Sequence, residues 1–207
     1  MNIVNVGYDS TNYYLVETGK AYMMVDAGWP GTLPKLVNAC KRKGISLKQI
    51  EHLLVTHYHP DHAGLVQELK AQGARLIVME NQPAFIAPMA KYMKPEQHYL
   101  PIELNNNIEM TFAGSRDFLQ KIGIQGEIIA TPGHSDDSVT LVLDEGPAFI
   151  GDLALPTSDD PQDPTRASWE RIRTLGAKIA YPGHGPVRQI QQPIDRSSDN
   201  DPGEPPL

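Results

Sequence analysis

Cysteine is almost absent from this chain: Cys40 stands alone among 207 residues. One thiol permits no internal disulfide, so packing must hold the fold, and a reducing compartment is compatible with that. Long apolar runs are missing too. The longest, Ala21-Tyr22-Met23-Met24-Val25, is far shorter than the roughly 20 residues that cross a bilayer as a helix, so no membrane association is expected. Met1-Asn2-Ile3 opens without the basic-then-apolar pattern of a secretory signal, and a cytoplasmic location is the resulting expectation. Positive charge is scarce. Beyond Lys41-Arg42-Lys43 there is no basic cluster, and a formal charge of -7 disfavours an extended phosphate-binding surface, so nucleic acid is not an expected partner. Hydrophobic residues at 40%, with 17 glycines beside them, put the chain in the globular range. One domain over residues 1–190 is expected, followed by a disordered tail over 191–207, where apolar residues almost vanish.

Against this background one stretch stands out: His57-Tyr58-His59-Pro60-Asp61-His62, directly after the apolar run His52-Leu53-Leu54-Val55-Thr56. Four metal-capable side chains within six residues are too dense for an ordinary solvated turn. In an extended backbone alternate residues face one side, so His57 and His59 can share an ion. Pro60 then stops the strand and opens a helix, where Asp61 and His62 aim at a neighbouring point suited to a second ion. Imidazoles and a carboxylate suit zinc, iron or manganese, and no nearby cysteine selects a thiolate-bound metal.

The rest of the chain alternates strands and helices. Residues 12–17 and 21–26 flank Thr18-Gly19-Lys20 and predict a hairpin ending at Asp26-Ala27-Gly28. A helix follows, with Thr32 as N-cap, Leu33, Leu36, Val37 and Cys40 as its apolar stripe, and Gly44 at its stop. Cys40 thereby reads as core and not as a reactive thiol. After the histidine-rich stretch, Leu65, Val66 and Leu69 predict a crossover helix ended by Gly73 and leading to a strand at 75–79. Residues 81–101, rich in proline and aromatics, predict short helical pieces, either a flap over the site or a surface excursion packing its own aromatics. His98, in this segment, and His52, at a strand start, read as structural. Ser115 is expected to cap a short helix closed by Gly123, and Asp163-Pro164 to open another with Trp169, Ile172 and Leu175 inward. Strands are expected at 127–131, 138–143, 148–150 and 178–181.

Three of those strands end in chemistry: Pro132-Gly133-His134, Gly151-Asp152 and Pro182-Gly183-His184. If the strands run the same way, their ends share one edge of the domain and seven ligands converge there. Three histidines, an Asp-His-His set and one further carboxylate are enough for two ions, each with an open position.

The ordered set His57-x-His59-x-Asp61-His62, His134, Asp152 and His184 resembles the metallo-β-lactamase-fold hydrolases, especially the glyoxalase II-like and lactonase-like members, over about residues 10–190. The resemblance implies an α/β fold, an αββα sandwich of two mixed β-sheets with helices on the outer faces. It implies two divalent metal ions, zinc first, with iron or manganese as alternatives. His57, His59 and His134 would hold one ion, Asp61, His62 and His184 the other, and Asp152 would bridge them. Asp26 matches the family's strand-end aspartate that orients the site, although a turn aspartate would look the same in sequence.

Two divalent ions sharing a water lower its pKa toward neutrality and polarise a substrate oxygen. The expected function is therefore a dinuclear hydrolase that cleaves a small-molecule ester, thioester or lactone by attack of the bridging hydroxide, with Asp61 orienting it and relaying its proton. The alternatives are a phosphodiesterase and a non-haem iron oxidoreductase of the persulfide dioxygenase type. Departures narrow the choice. True β-lactamases of this fold lack the counterpart of Asp152, and flavodiiron proteins carry a glutamate where His59 stands. Glyoxalase II and persulfide dioxygenases follow the Gly-Asp pair with a Gly/Arg-rich loop, where this chain reads Leu153-Ala154-Leu155-Pro156; lactonases place a tyrosine there. The sequence specifies no oligomeric state and is compatible with a homodimer.

Overall fold

The computed structural model describes residues 1–157, 160 and 162–191, so the tail expected over 191–207 lies, apart from Gln191, outside the described residues. Two sheets form from the apolar segments. The first contains β1 (Ile3–Asn5), β2 (Tyr14–Glu17), β3 (Tyr22–Val25), β4 (Ile50–Leu54), β5 (Arg75–Met79) and β6 (Ile108–Met110), hydrogen-bonded in that order. Its first three strands are antiparallel neighbours, and β3 to β6 run parallel. The second contains β7 (Gly126–Ala130), β8 (Val139–Leu143), β9 (Pro147–Gly151), β10 (Ile179–Pro182) and β11 (Arg188–Gln189), in the order β11-β10-β9-β8-β7. Because β8 is antiparallel to both β7 and β9, and β9 is parallel to β10, strands β7, β9 and β10 all point one way.

Strand periodicity explains the layering. In the first sheet Tyr14, Val16, Met23, Val25, Leu54, Ile77 and Met79 face the second sheet, meeting Ile128, Val139, Leu141, Leu143 and Phe149. Their alternates Leu15, Met24, Leu53, Leu76 and Val78 face outward onto helices α1 (Leu33–Arg42), α3 (Val66–Ala71) and α4 (Pro83–Met89). On the far side, Val142, Ala148, Ile150 and Ala180 pack on Trp169 and Ile172 of α6 (Pro164–Thr174). Three apolar interfaces between four layers make the αββα sandwich, and central strands buried on both faces read as continuous apolar runs. Among the described residues no helix is long and apolar enough to cross a membrane.

Several local expectations change. Thr32 occupies the N-cap position of α1 but does not cap it; its hydroxyl donates to the Trp29 carbonyl at 2.6 Å and meets the Tyr8 hydroxyl at 2.6 Å. Val37 is 40% exposed, and Ala39 joins Leu36 and Cys40 in the core instead. The single crossover helix is two pieces, α2 (Pro60–Ala63) and α3, because the Leu65 amide is drawn to the Ala27 carbonyl and Gly64 lies against Pro30, with no room for a Cβ. Asp163 caps α6 as expected, accepting from the Thr165 amide at 2.9 Å.

Ser115 is the largest departure. The helix α5 (Phe112–Lys121) begins four residues earlier than expected, capped by Thr111, whose side chain accepts from the Gly114 amide. Ser115 lies inside it, fully buried, where its hydroxyl donates to the Phe112 carbonyl at 2.8 Å and accepts from the Ile128 amide at 3.0 Å. That amide belongs to edge strand β7 and has no neighbouring strand on that side, so the serine satisfies a group the sheet leaves over. Replacement by alanine removes the acceptor and strands a buried donor. Ser115→Ala is expected to cost ~1–3 kcal/mol in urea unfolding with the helical circular dichroism signal retained; a loss below ~0.5 kcal/mol, the range of an ordinary surface change, would show that this bond is not structural.

Candidate metal centre

All seven candidate ligands sit at one edge, where β4, β7, β9 and β10 end. They fall into three overlapping groups: His57, His59 and His134; His57, His62 and Asp152; Asp61, His62 and His184, with the donor atoms of each group within 4.8 Å of one another. In the first, His57 Nε2 and His134 Nε2 each lie 3.1 Å from His59 Nδ1. Donors bound tetrahedrally to one ion at about 2.0 Å would be separated by about 3.3 Å, so this spacing fits a shared zinc-sized ion. In the third, His184 Nε2 is 3.0 Å and His62 Nε2 3.5 Å from Asp61 Oδ2. Asp152 faces both. Its Oδ2 is 3.9 Å from His57 Nε2, 3.7 Å from His134 Nε2 and 3.5 Å from His184 Nε2, and its Oδ1 is 3.3 Å from His62 Nε2.

His57 and His59 do not meet by strand alternation. β4 ends at Leu54, and the chain bends so that the His59 amide reaches the His57 carbonyl. The rings converge because one presents Nε2 and the other Nδ1. The bend is held from outside: the Tyr58 amide donates to Asp137 Oδ2 at 2.7 Å, and Gln82 Nε2 donates to the Val55 and Asp137 carbonyls. Asp137, just past His134, thus ties the two ligand-bearing loops together.

Asp26 settles the choice that the sequence leaves open. It is buried, adopts a left-handed φ of 63°, and its carboxylate accepts from the Thr56 amide at 2.8 Å, the Thr56 hydroxyl at 3.0 Å and His62 Nδ1 at 2.8 Å. The Thr56 hydroxyl has one proton; having given it to Asp26, it can only accept from His57 Nδ1, 3.1 Å away. One carboxylate therefore fixes a ring in each set, with Nε2 of both His57 and His62 turned toward the centre. His184 is set similarly, its Nδ1 donating to the Ser10 carbonyl at 2.7 Å, and Thr11 donates to Asp61 at 3.2 Å. Such outer partners orient metal ligands and fix their tautomers. Gly183 leaves room for them, since a Cβ there would lie 2.5 Å from His62 and 2.6 Å from Asp152.

The protonation states fit a dication. Burial first, and the surrounding imidazoles second, hold the His57 pKa well below its ordinary value, and burial lowers that of His134. Burial works to raise the Asp152 carboxyl, but the neighbouring imidazoles, His62 foremost, overcome it and keep it low. Burial would lower His62 as well; Asp26 and Asp152 outweigh it and push its pKa up to about 10. The fully buried His62 Nε2 and the Asp152 Oδ1 facing it have no hydrogen-bond partner. Buried polar atoms left unpaired are costly, and a cation between them removes the cost while displacing the proton. The donor set thus fits divalent metal.

Two cavities flank the centre. One, of about 560 Å³, is lined by His134, Asp152, Leu153, Ala154, His184 and Arg188. The other, of about 420 Å³, is lined by His59, His134, Phe85, Met89 and Tyr92, so the 81–101 segment both packs on the core through Phe85, Met93 and Tyr99 and walls the site. His98 is exposed and belongs to none of the ligand groups, and His52 lies within β4 with its ring against Phe118.

Residues 6–184 match the model of the metallo-beta-lactamase superfamily, and the chain belongs to that superfamily. Relatives include a beta-lactamase-like protein 2 homolog of Caenorhabditis elegans, 32% identical over 86% of this chain and 56% of that protein. An atrochrysone carboxyl ACP thioesterase of Aspergillus fumigatus is 28% identical over 90% of this chain and 56% of that protein. A thioesterase of Emericella nidulans is 29% identical over 90% and 49%. The chain thus spans about half the length of the curated relatives it matches. Among solved structures, a metallo-beta-lactamase family protein of Thermus thermophilus superposes with a TM-score of 0.68 at 21% identity, covering 90% of this chain and 73% of that one. A metallo-beta-lactamase of Novosphingobium pentaromativorans gives 0.69 at 19%, covering 88% and 73%. These confirm the fold.

Asp26→Asn offers an amide that can accept on one side only, so one of its three donors loses its partner. The variant is expected to fold and to bind divalent metal roughly 10–100-fold more weakly in chelator competition. Unchanged affinity would show that Asp26 does not orient the ligands.

Proposed function

We propose that this chain is a two-metal hydrolase of small-molecule thioesters, and of activated esters or lactones, in the glyoxalase II-like and lactonase-like part of its superfamily. The observation that carries the reading is Asp152, whose Oδ2 lies 3.9 Å from His57 Nε2 of one ligand set and 3.5 Å from His184 Nε2 of the other, with its Oδ1 facing His62. In this reading His57, His59 and His134 hold one ion, Asp61, His62 and His184 the other, and Asp152 both. Bound divalent ions supply an acidified water and a Lewis acid for the substrate's acyl oxygen, with zinc the first candidate and iron or manganese the alternatives.

The chain's own residues supply positioning and proton handling. Asp61, held by Thr11 at 3.2 Å, orients the attacking water and takes its proton. The Asp26 and Ser10 contacts keep the imidazoles aimed inward, so little reorganisation accompanies reaction. Leu153, Ala154, Leu155 and Pro182 give the larger cavity an apolar wall, and among the described residues that wall offers no general acid. A leaving group that must be protonated is therefore poorly served, whereas a thiolate leaves unassisted. The two thioesterase relatives support the same preference.

Zinc- or manganese-loaded protein is expected to cleave aryl thioesters at least ~10-fold faster than alkyl esters of the same acyl group, with activity lost on chelation and restored by metal. Protein purified with one iron, forming sulfite from glutathione persulfide under oxygen and leaving thioesters intact, would overturn the reading.

A further inference from the structure

We propose that the substrate carries an anionic group on one arm of its scissile bond and that Arg188 binds it. The inference rests on the hydrolase reading for the identity of that bond, not for the binding of the anion. Arg188 lies on edge strand β11, paired opposite Ala180 of β10, the strand that delivers His184. It is partly buried and lines the same cavity as His134, Asp152 and His184.

What distinguishes Arg188 from the exposed Arg42 and Arg75 is that it lines this cavity while no described carboxylate or carbonyl holds its guanidinium. Arg116 is held by Asp144 and Glu127, Arg173 donates to the Gln191 carbonyl, and Arg171 reaches the Ala130 carbonyl. Arg188 makes no ion pair or side-chain hydrogen bond among the described residues, although acidic residues outnumber basic ones 25 to 18 in the chain. Its guanidinium instead stands over the Trp169 ring, 6.0 Å from the centroid. Trp169 is itself fixed, buried in the outer core with its indole N–H donating to the Ala154 carbonyl at 2.7 Å. The ring therefore braces both the cavity's apolar wall and its cation. A planar cation held against an aromatic face with its N–H fork free is suited to a carboxylate or phosphate-like oxygen pair.

The opposite cavity supplies the contrast. Phe85, Met89 and Tyr92 form an apolar and aromatic wall beside His59 and His134, and Tyr92 is 72% exposed. The ligand cluster lies between the two cavities and His134 borders both, so a bound ester or thioester places its two arms on different walls. The apolar arm belongs against Phe85, Met89 and Tyr92, and the anionic arm against Arg188.

The test uses metal-loaded protein and two matched pairs of probes: an aryl thioester whose thiol arm ends in a sulfonate, the same thioester ending in a neutral amide, and the corresponding non-hydrolysable thioethers. Sulfonate is a weak metal ligand, so its contribution reports on the arginine. Calorimetry is expected to show the sulfonated thioether binding at least ~10-fold tighter than the amide. Arg188→Gln should abolish that preference and Arg188→Lys should restore part of it, with thermal unfolding showing each variant folded. Equal binding of the two thioethers, or a preference that survives in Arg188→Gln, overturns the inference. Thioesters cleaved without any preference for the sulfonate would leave the hydrolase reading standing and this one refuted. Arg188-dependent sulfonate binding with no cleavage of either thioester would do the reverse.

Discussion

The carboxylate of Asp26 is the contact on which the site depends. It ends β3 in a left-handed conformation, costly for a residue with a side chain, and turns inward to accept three hydrogen bonds. Bonds to an ionised acceptor contribute ~1.5–3 kcal/mol each, enough together to hold that backbone in place. Because Thr56 passes the constraint to His57 while His62 receives it directly, one buried group sets the tautomer of a ring in each ligand set. The two halves of the centre are therefore not independent.

The αββα architecture makes this arrangement possible. Parallel strands β3 and β4 deliver Asp26 and the His57–His62 stretch to one edge of the first sheet, and parallel-running β7, β9 and β10 deliver His134, Asp152 and His184 to the facing edge of the second. The interface between the sheets, filled by Tyr14, Met23, Leu54, Ile77, Leu141 and Phe149, fixes the distance across which these edges meet. Hydrogen bonds cross the gap directly, from the Asn12 amide to the Gly183 carbonyl and from the Val139 amide to the Thr56 carbonyl. Gly151 is held at a positive φ where a Cβ would strike Thr56, so the turn that presents Asp152 is packed against the residue that orients His57.

Much of this was legible in the sequence, and the reasons are physical. Strands buried on both faces announce themselves as apolar runs, and ligands at strand ends keep their order and flanking glycines, so the strands and the residues that gather at their ends could be read directly, and the family resemblance they carry implied the sandwich. The edge strands β1, β6 and β11 could not, because two- or three-residue strands with one bare side carry no periodicity. Ser115 misled because serine is commoner as a cap than as a buried partner for an edge amide. Thr56, Asp137, Gln82 and Arg188 were invisible for another reason: each acts across a long sequence separation, Asp137 on Tyr58 and Gln82 on Val55, and no local pattern marks such a contact. Asp26 was legible only as one of two readings until its partners were seen.

The central claim is that Asp152 joins two ions into one centre. Its Oδ2 faces His57 and His134 of one ligand set and His184 of the other, so removing the carboxylate takes a ligand from both and a negative charge from between two dications. Metal analysis of Asp152→Ala beside the parent protein tests this most directly. The account predicts about one tightly held ion in the variant where the parent holds two, with a near-normal circular dichroism spectrum and a hydrolytic rate lower by roughly 100-fold or more. Two tightly bound ions and undiminished turnover in the folded variant would contradict it.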